Sequence, residues 1–200
     1  MEPKNDIDIR ESTLRRTGKL LDILLINRTT NTNIIWATDS YKEYGEKYQF
    51  SQPINPELIT GKNSYLIQPR AAKTLAEQRK RTRDIAEVFT PLNIVEEMNN
   101  RIDESGQVSS VDENNWQDYV KAIKLEIACG EAPFIISRYD PTSHAGKMMP
   151  IGKRVGFLDK KLSVVSQYCS NKNDWLYWSK EACKASYGYE WQGDNILIAR

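Results

Sequence analysis

The segment Leu125-Glu126-Ile127-Ala128-Cys129-Gly130-Glu131-Ala132-Pro133-Phe134 sets a short apolar strand ahead of a turn made of small residues. Small side chains after a strand let backbone come close to a ligand, and glycine frees the turn geometry. In open α/β sheets, ligands sit beyond the carboxyl ends of the strands. Further along, Tyr187-Gly188-Tyr189-Glu190 reads as a second short strand that ends in an acid. A carboxylate at that place can accept two hydrogen bonds from ribose hydroxyls. A strand, a glycine turn and a later strand-end acid together suggest a nucleoside-binding half. Each sign taken singly has a plainer reading, an ordinary turn and an ordinary surface acid.

Other reactive residues form no constellation. His144 is the only histidine and has no second histidine for a metal site. A thiol nucleophile normally needs a histidine base, and the sequence does not bring His144 to Cys129. Cys169 and Cys183 fall on the apolar faces of expected helices and read as packed. The acids Asp6, Asp8 and Glu11 lie near one another without the strand-based arrangement of a nuclease metal site. No phosphate-binding loop ending in Gly-Lys-Ser or Gly-Lys-Thr is present, which argues against an ATP-driven translocase.

The elements that must position the turn follow from periodicity. Leu14, Leu21, Leu24 and Leu25, behind a Ser12 cap, predict a helix to about Asn27. Asn33 to Ala37 and Ser64 to Gln68 read as short strands. Tyr41, Tyr44, Tyr48 and Phe50 either form a stacking surface for bases or pack a loop onto its domain. Arg70 to Ile85 favours helix, and its cluster Arg79, Lys80, Arg81 and Arg83 either contacts phosphates or forms a solvated face. Thr90 as cap and Pro91 in the first turn predict a helix bearing Leu92, Ile94, Val95, Met98 and Ile102. Helical spacing also joins Trp116, Tyr119, Val120 and Ile123; then Val155, Leu158, Leu162 and Val165; then Trp175, Trp178, Ala182 and Ala185. Asp194 or Asn195 caps a last helix.

The 200 residues suit one domain, or one domain with a helical extension. Hydrophobic residues at 40%, charged residues at 28% and a net charge of +1 describe an ordinary globular chain without a global pull toward nucleic acid. Three scattered cysteines, no signal-peptide pattern and no apolar run near the roughly 20 residues of a membrane span make the cytoplasm the expected location and exclude a membrane partner.

Ala86-Glu87-Val88-Phe89-Thr90-Pro91, leading into a helix, resembles the Phe-x-Thr-Pro motif of adenine-specific DNA methyltransferases. Leu125 to Phe134 is similar to that family's Asp-Pro-Ala-Cys-Gly-Ser-Gly turn, with Ala128-Cys129-Gly130 matching directly. Tyr187 to Arg200 resembles the next element, a strand ending in the ribose-binding acid and a helix with an Ala-Arg pair, here Ala199-Arg200. The whole chain, including Ile34 to Asp39, looks like the start of restriction endonuclease subunit M proteins. The resemblance implies an α/β fold, a partial Rossmann-like methyltransferase fold dependent on S-adenosylmethionine, with a mainly helical N-terminal region. Residues 1–80 would form that region, and 81–200 the front half of the methyltransferase domain. Phe89, Thr90 and Pro91 would line the methionine end of the cofactor. Glu126, Ala128, Cys129 and Gly130 would form the turn beneath it, Glu190 would hold the ribose, and Trp191 would flank the adenine.

The sequence departs from the family in several places. Glu126 and Ile127 replace aspartate and proline, Ala132 stands at the second glycine, and Gly130 and Glu190 are 60 positions apart where a dinucleotide fold has about 20. The family's Asn/Asp-Pro-Pro-Tyr/Phe loop, which holds a flipped adenine, does not occur, so no catalytic residue is assigned. The expectation is a cofactor-binding fragment truncated before the catalytic motif and inactive alone. Double-stranded DNA would bind in the complete enzyme, and a C-terminal half or partner subunit would supply the loop. Two rivals stand beside it: a non-catalytic DNA-binding or assembly subunit with a decayed methyltransferase fold, and a restriction nuclease module.

Overall fold

A computed structural model describes residues 19–106, 110–143 and 147–200. Asp6, Asp8, Glu11, the Ser12 cap and His144 lie outside the described residues. Helices and two small sheets make a mixed α/β structure. The chain divides into two units, Met1–Glu87 with Glu190–Arg200, and Val88–Tyr189. The last segment, Glu190–Arg200, groups with the first unit.

In the first unit, α1 (Leu20–Leu25) stops two residues earlier than its periodicity predicts. Ile26–Asn27 (β1) instead pairs antiparallel with Thr32–Asn33 (β2). The turn between them needs a left-handed residue, and Asn31 at φ 57° supplies it. The expected strand over 33–37 is only partly a strand. Ile34 donates its N–H to the Leu25 carbonyl, Ile35 bridges Pro53, and Ala37 at φ 61° ends the stretch. Ser64 to Gln68 is a turn and not a strand, since Leu66 donates back to the Asn63 carbonyl.

Trp36 is buried at the centre of this unit, with Leu25 and Ile54 fully enclosed around it. Its ring lies 4.6 Å from Tyr41 and 5.4 Å from Tyr48, and its indole N–H donates to the Lys47 carbonyl at 3.1 Å. Tyr41 and Tyr48 thus pack their loop, while Tyr44 and Phe50 stay exposed. The loop continues through α2 (Pro56–Ile59) to α3 (Leu75–Ile85), which starts in a reciprocal Thr74–Glu77 capping box.

The helix α8 (Gly193–Ala199) is capped by Gln192 and not by Asp194 or Asn195. Asp194 is committed elsewhere: it accepts from the Tyr41 hydroxyl at 2.8 Å and pairs with Arg81 at 2.8 Å. Arg81 also pairs with Glu87 at 2.5 Å, so this member of the basic cluster is neither solvated nor open to phosphate.

In the second unit, α4 (Leu92–Ser105) follows Pro91, which is itself the N-cap; the Thr90 side chain makes no cap bond. The helix α5 (Trp116–Lys121) ends before Ile123, which is exposed. Next come β3 (Lys124–Ile127), α6 (Phe157–Tyr168), α7 (Lys172–Lys184) and β4 (Ser186–Tyr189). Trp116, Val120, Phe157, Leu158, Val165 and Ala182 make the core between the helices. Cys183 is exposed on α7, against the packed position its spacing suggests.

The strands β3 and β4 run parallel, with Leu125 opposite Tyr187 and Ile127 opposite Tyr189. Parallel partners need a long crossover, and α6 and α7 lie in it. Lys161 of α6 is fully buried, and its ammonium donates to the carbonyls of Ala122 and Ala185, at 2.5 and 3.0 Å, just ahead of the two strands. Among the described residues, no helix is long and apolar enough to cross a membrane.

Candidate functional site

The turn at the carboxyl end of β3 is held in left-handed backbone at alternate positions, with Ala128 at φ 54°, Gly130 at φ 55° and Ala132 at φ 60°. Alanine is costly there by roughly 1–2 kcal/mol per residue, so the loop geometry is enforced by its surroundings. Cys129 donates its N–H to the Tyr189 carbonyl at 2.9 Å, which continues the parallel ladder one step past Ile127. Ala132 donates to the Cys129 carbonyl at 2.7 Å, closing the turn.

Phe89 meets this turn. A Cβ built on Gly130 would fall 2.8 Å from Phe89 Cε1 and 3.0 Å from Cζ, so only glycine lets the ring seat there. The structure therefore brings together two segments that the sequence separates by the whole of α4 and α5. Gly188, on β4, plays a similar part: a Cβ would lie 2.9 Å from Cys129 Sγ and 2.8 Å from Ile135 Cδ1.

The remaining expected residues take definite places. Glu126 is turned inward on β3, and its carboxylate accepts from the Ile135 N–H at 3.2 Å. Cys129 is buried, Ala128 is exposed at the strand end, Thr90 is half-buried and Pro91 exposed. Ala132 is only 3% exposed, so its methyl is packed inside the unit and does not project from the turn. Glu190 and Trp191 open the returning segment of the first unit. One Glu190 carboxylate oxygen accepts from the N–H groups of Trp191 and Gln192, both at 2.9 Å. The Trp191 indole N–H donates to the Ala37 carbonyl, and the ring is 74% exposed.

Sequence reasoning missed the residues that fix the loop behind the turn. Asn99, buried on α4, donates to the carbonyls of Phe134 and Val155 at 3.1 and 3.0 Å. Glu131 accepts from the Tyr139 hydroxyl at 2.6 Å, with both side chains buried. Asp159 accepts from the Ser137 N–H at 2.8 Å; burial raises its carboxyl above the usual range against the pull of Ser137 and Arg154. The available signal was Asn99 itself, a polar residue in register with Leu92 and Val95 on the buried helix face, since buried amides need partners.

No group of three or more metal-ligating side chains occurs among the described residues. Chemically, the arrangement is a small-residue turn at a parallel strand end with an aromatic ring set against its glycine. Comparison with protein-family models, with curated proteins and with solved structures gives no match for this chain.

Proposed function

We propose that this chain is the S-adenosylmethionine-binding part of an adenine-N6 DNA methyltransferase of a restriction-modification system. The observation that carries the reading is the seating of Phe89 on Gly130. The Phe-x-Thr-Pro-like and Ala-Cys-Gly segments are the two that the family uses at the methionine end of its cofactor, and here they meet at one strand end. The parallel β3–β4 pair with its helical crossover supports a Rossmann-like reading of this unit.

The residues present suit the cofactor at that end. Ala128 is exposed, so small side chains leave the backbone approachable, and the Phe89 ring supplies an apolar edge for a methionine chain. Ala132, which stands at the family's second glycine, packs inward. When bound, the cofactor supplies an electrophilic methyl group on a sulfonium; the chain's own part is to bind and orient it. Adenine in double-stranded DNA is the methyl acceptor in this reading. The polar-Pro-Pro-aromatic loop that would hold it is supplied from outside these 200 residues.

Titration calorimetry with S-adenosylmethionine tests the proposal. Wild type should bind saturably, Phe89→Leu should weaken binding by about tenfold, the worth of a lost apolar contact of roughly 1–2 kcal/mol, and circular dichroism should be unchanged. A folded chain that does not bind would overturn it.

One observation favours a second reading, a non-catalytic assembly subunit with a decayed cofactor fold. Leu125, Ile127, Tyr187 and Tyr189 share one face of the sheet and are all at least half exposed. Such a subunit would lack cofactor affinity, so the same titration separates the two.

A further inference from the structure

The first unit contains a cavity of about 570 Å³ between the loop after Ala37 and one side of α3. That volume lies within the range of small-molecule sites, roughly 300–1,000 Å³. Tyr41, Tyr44 and Tyr65 line it, and the two outer rings keep 45% and 55% of their surface in contact with solvent. Exposed tyrosines at a cavity mouth are costly to solvate and offer flat faces with hydrogen-bonding tips. Burial, and next the neighbouring Tyr65 hydroxyl, raise the Tyr44 phenol above its usual value, so Tyr44 is a neutral donor and acceptor near pH 7.

The floor is rigid. Tyr41 is held by Asp194, and Asp194 by Arg81, in a buried network that fixes one wall of the cavity. The lining holds four carboxylates and four cations, so its formal charges balance, and several are already engaged. Arg81 is spent on Glu87 and Asp194, Lys42 faces Asp39 at 3.8 Å, Glu77 caps α3 through Thr74, and Asp84 pairs with Arg83 at 2.8 Å. The cavity thus joins aromatic faces and hydrogen-bonding groups to a balanced charge, which suits a flat, uncharged heteroaromatic ring and not a cluster of phosphates.

We infer that this cavity binds a nucleobase, stacked on Tyr44 and Tyr65. The base comes either from a free nucleoside or from a single-stranded stretch of nucleic acid. Aromatic faces accept either source, because every base has a π-face.

Calorimetry on the whole chain, with adenosine, cytidine and a mixed-sequence single-stranded decanucleotide as probes, tests this. Tyr44→Ala and Tyr65→Ala should each weaken binding by about tenfold or more, the scale of a lost base–aromatic stack. Both rings are about half exposed, so the fold should survive, as far-ultraviolet circular dichroism would verify. Tyr65→Phe should bind within about threefold of wild type, because the stacking face is kept. Nucleosides that bind alone identify a small-molecule site, and binding by the oligonucleotide only identifies a strand. S-adenosylmethionine titrated into Tyr44→Ala serves as the control for the cofactor reading and should bind as it does to wild type. The inference is overturned if no probe binds the folded chain, or if the alanine variants bind as wild type does.

Discussion

The Arg81 guanidinium holds the Asp194 carboxylate at 2.8 Å, with the two side chains 11% and 2% exposed. The same guanidinium takes Glu87 at 2.5 Å, and the Tyr41 hydroxyl completes the coordination of Asp194. Arg81 thus bridges two buried carboxylates within the first unit, sharing Glu87 with Arg70 at 3.2 Å, and joins α3 to the returning segment that carries α8.

Arg81→Met should therefore destabilise the chain by about 3–5 kcal/mol, because it leaves Asp194 buried without its counter-charge and Glu87 with Arg70 alone. Arg81→Lys should recover only part of this, since a single ammonium cannot serve two acids through a planar fork. Urea denaturation measures both. A loss below about 1 kcal/mol for Arg81→Met would contradict the network.

Gly130→Ala is expected to cost about 2–5 kcal/mol. The left-handed backbone contributes roughly 1–2, and forcing a methyl against the Phe89 ring contributes roughly 1–3. Removing the ring should relieve the second part only. In a double-mutant cycle with Phe89→Ala, the pair should then cost less than the sum of the singles. Additive losses would show that ring and glycine do not touch.

How much of this was legible in the sequence depends on how local the determining contacts are. The helices α4, α6 and α7 show in the spacing of their own apolar residues, and β3, β4 and the turn at Gly130 show in short β-favouring runs broken by small residues. Arg81 was misleading because its neighbours Arg79, Lys80 and Arg83 make a basic run, whereas its burial is decided by Asp194, far along the chain. The return of residues 190–200 to the first unit was hidden for the same reason. At the site, Phe89 and Gly130 were each visible as motif residues, but their contact depends on how α4 packs, which no local pattern encodes. Ser64 to Gln68 has strand-like composition yet lacks a partner strand, and local hydrogen bonds turn it instead.

Ala86 follows α3 in left-handed conformation at φ 54°, and Ala128 holds φ 54° at the end of β3; both are exposed. Replacing either by glycine removes a backbone penalty of roughly 1–2 kcal/mol and adds roughly 0.5–1 kcal/mol of unfolded-state entropy. Each variant should be more stable by about 0.5–1 kcal/mol in thermal or urea unfolding. Ala86→Gly also supplies the residue that most often closes a helix in this conformation. Destabilisation by either change would mean that the residue is not left-handed in solution.

Lys161 gives the second unit a pH dependence of defined sign. Burial, and next the nearby positive charge of Lys124, lower its ammonium from the ordinary 10.5 to about 8. Between those two values the unfolded chain binds the extra proton, so stability rises with pH across the window, and the destabilisation is fully present below about 8. Tyr119 acts the other way, because burial raises its phenol and deprotonating it favours the unfolded chain. The readout is therefore the difference in unfolding free energy between wild type and Lys161→Met, measured from pH 7 to pH 9.5. Wild type should gain on the variant as pH rises through about 8. At any pH the variant also lacks the bonds to the Ala122 and Ala185 carbonyls, an offset that does not depend on pH. A difference that stays flat across the window would mean that Lys161 titrates as it does in water, and that its ammonium is not enclosed ahead of the two parallel strands.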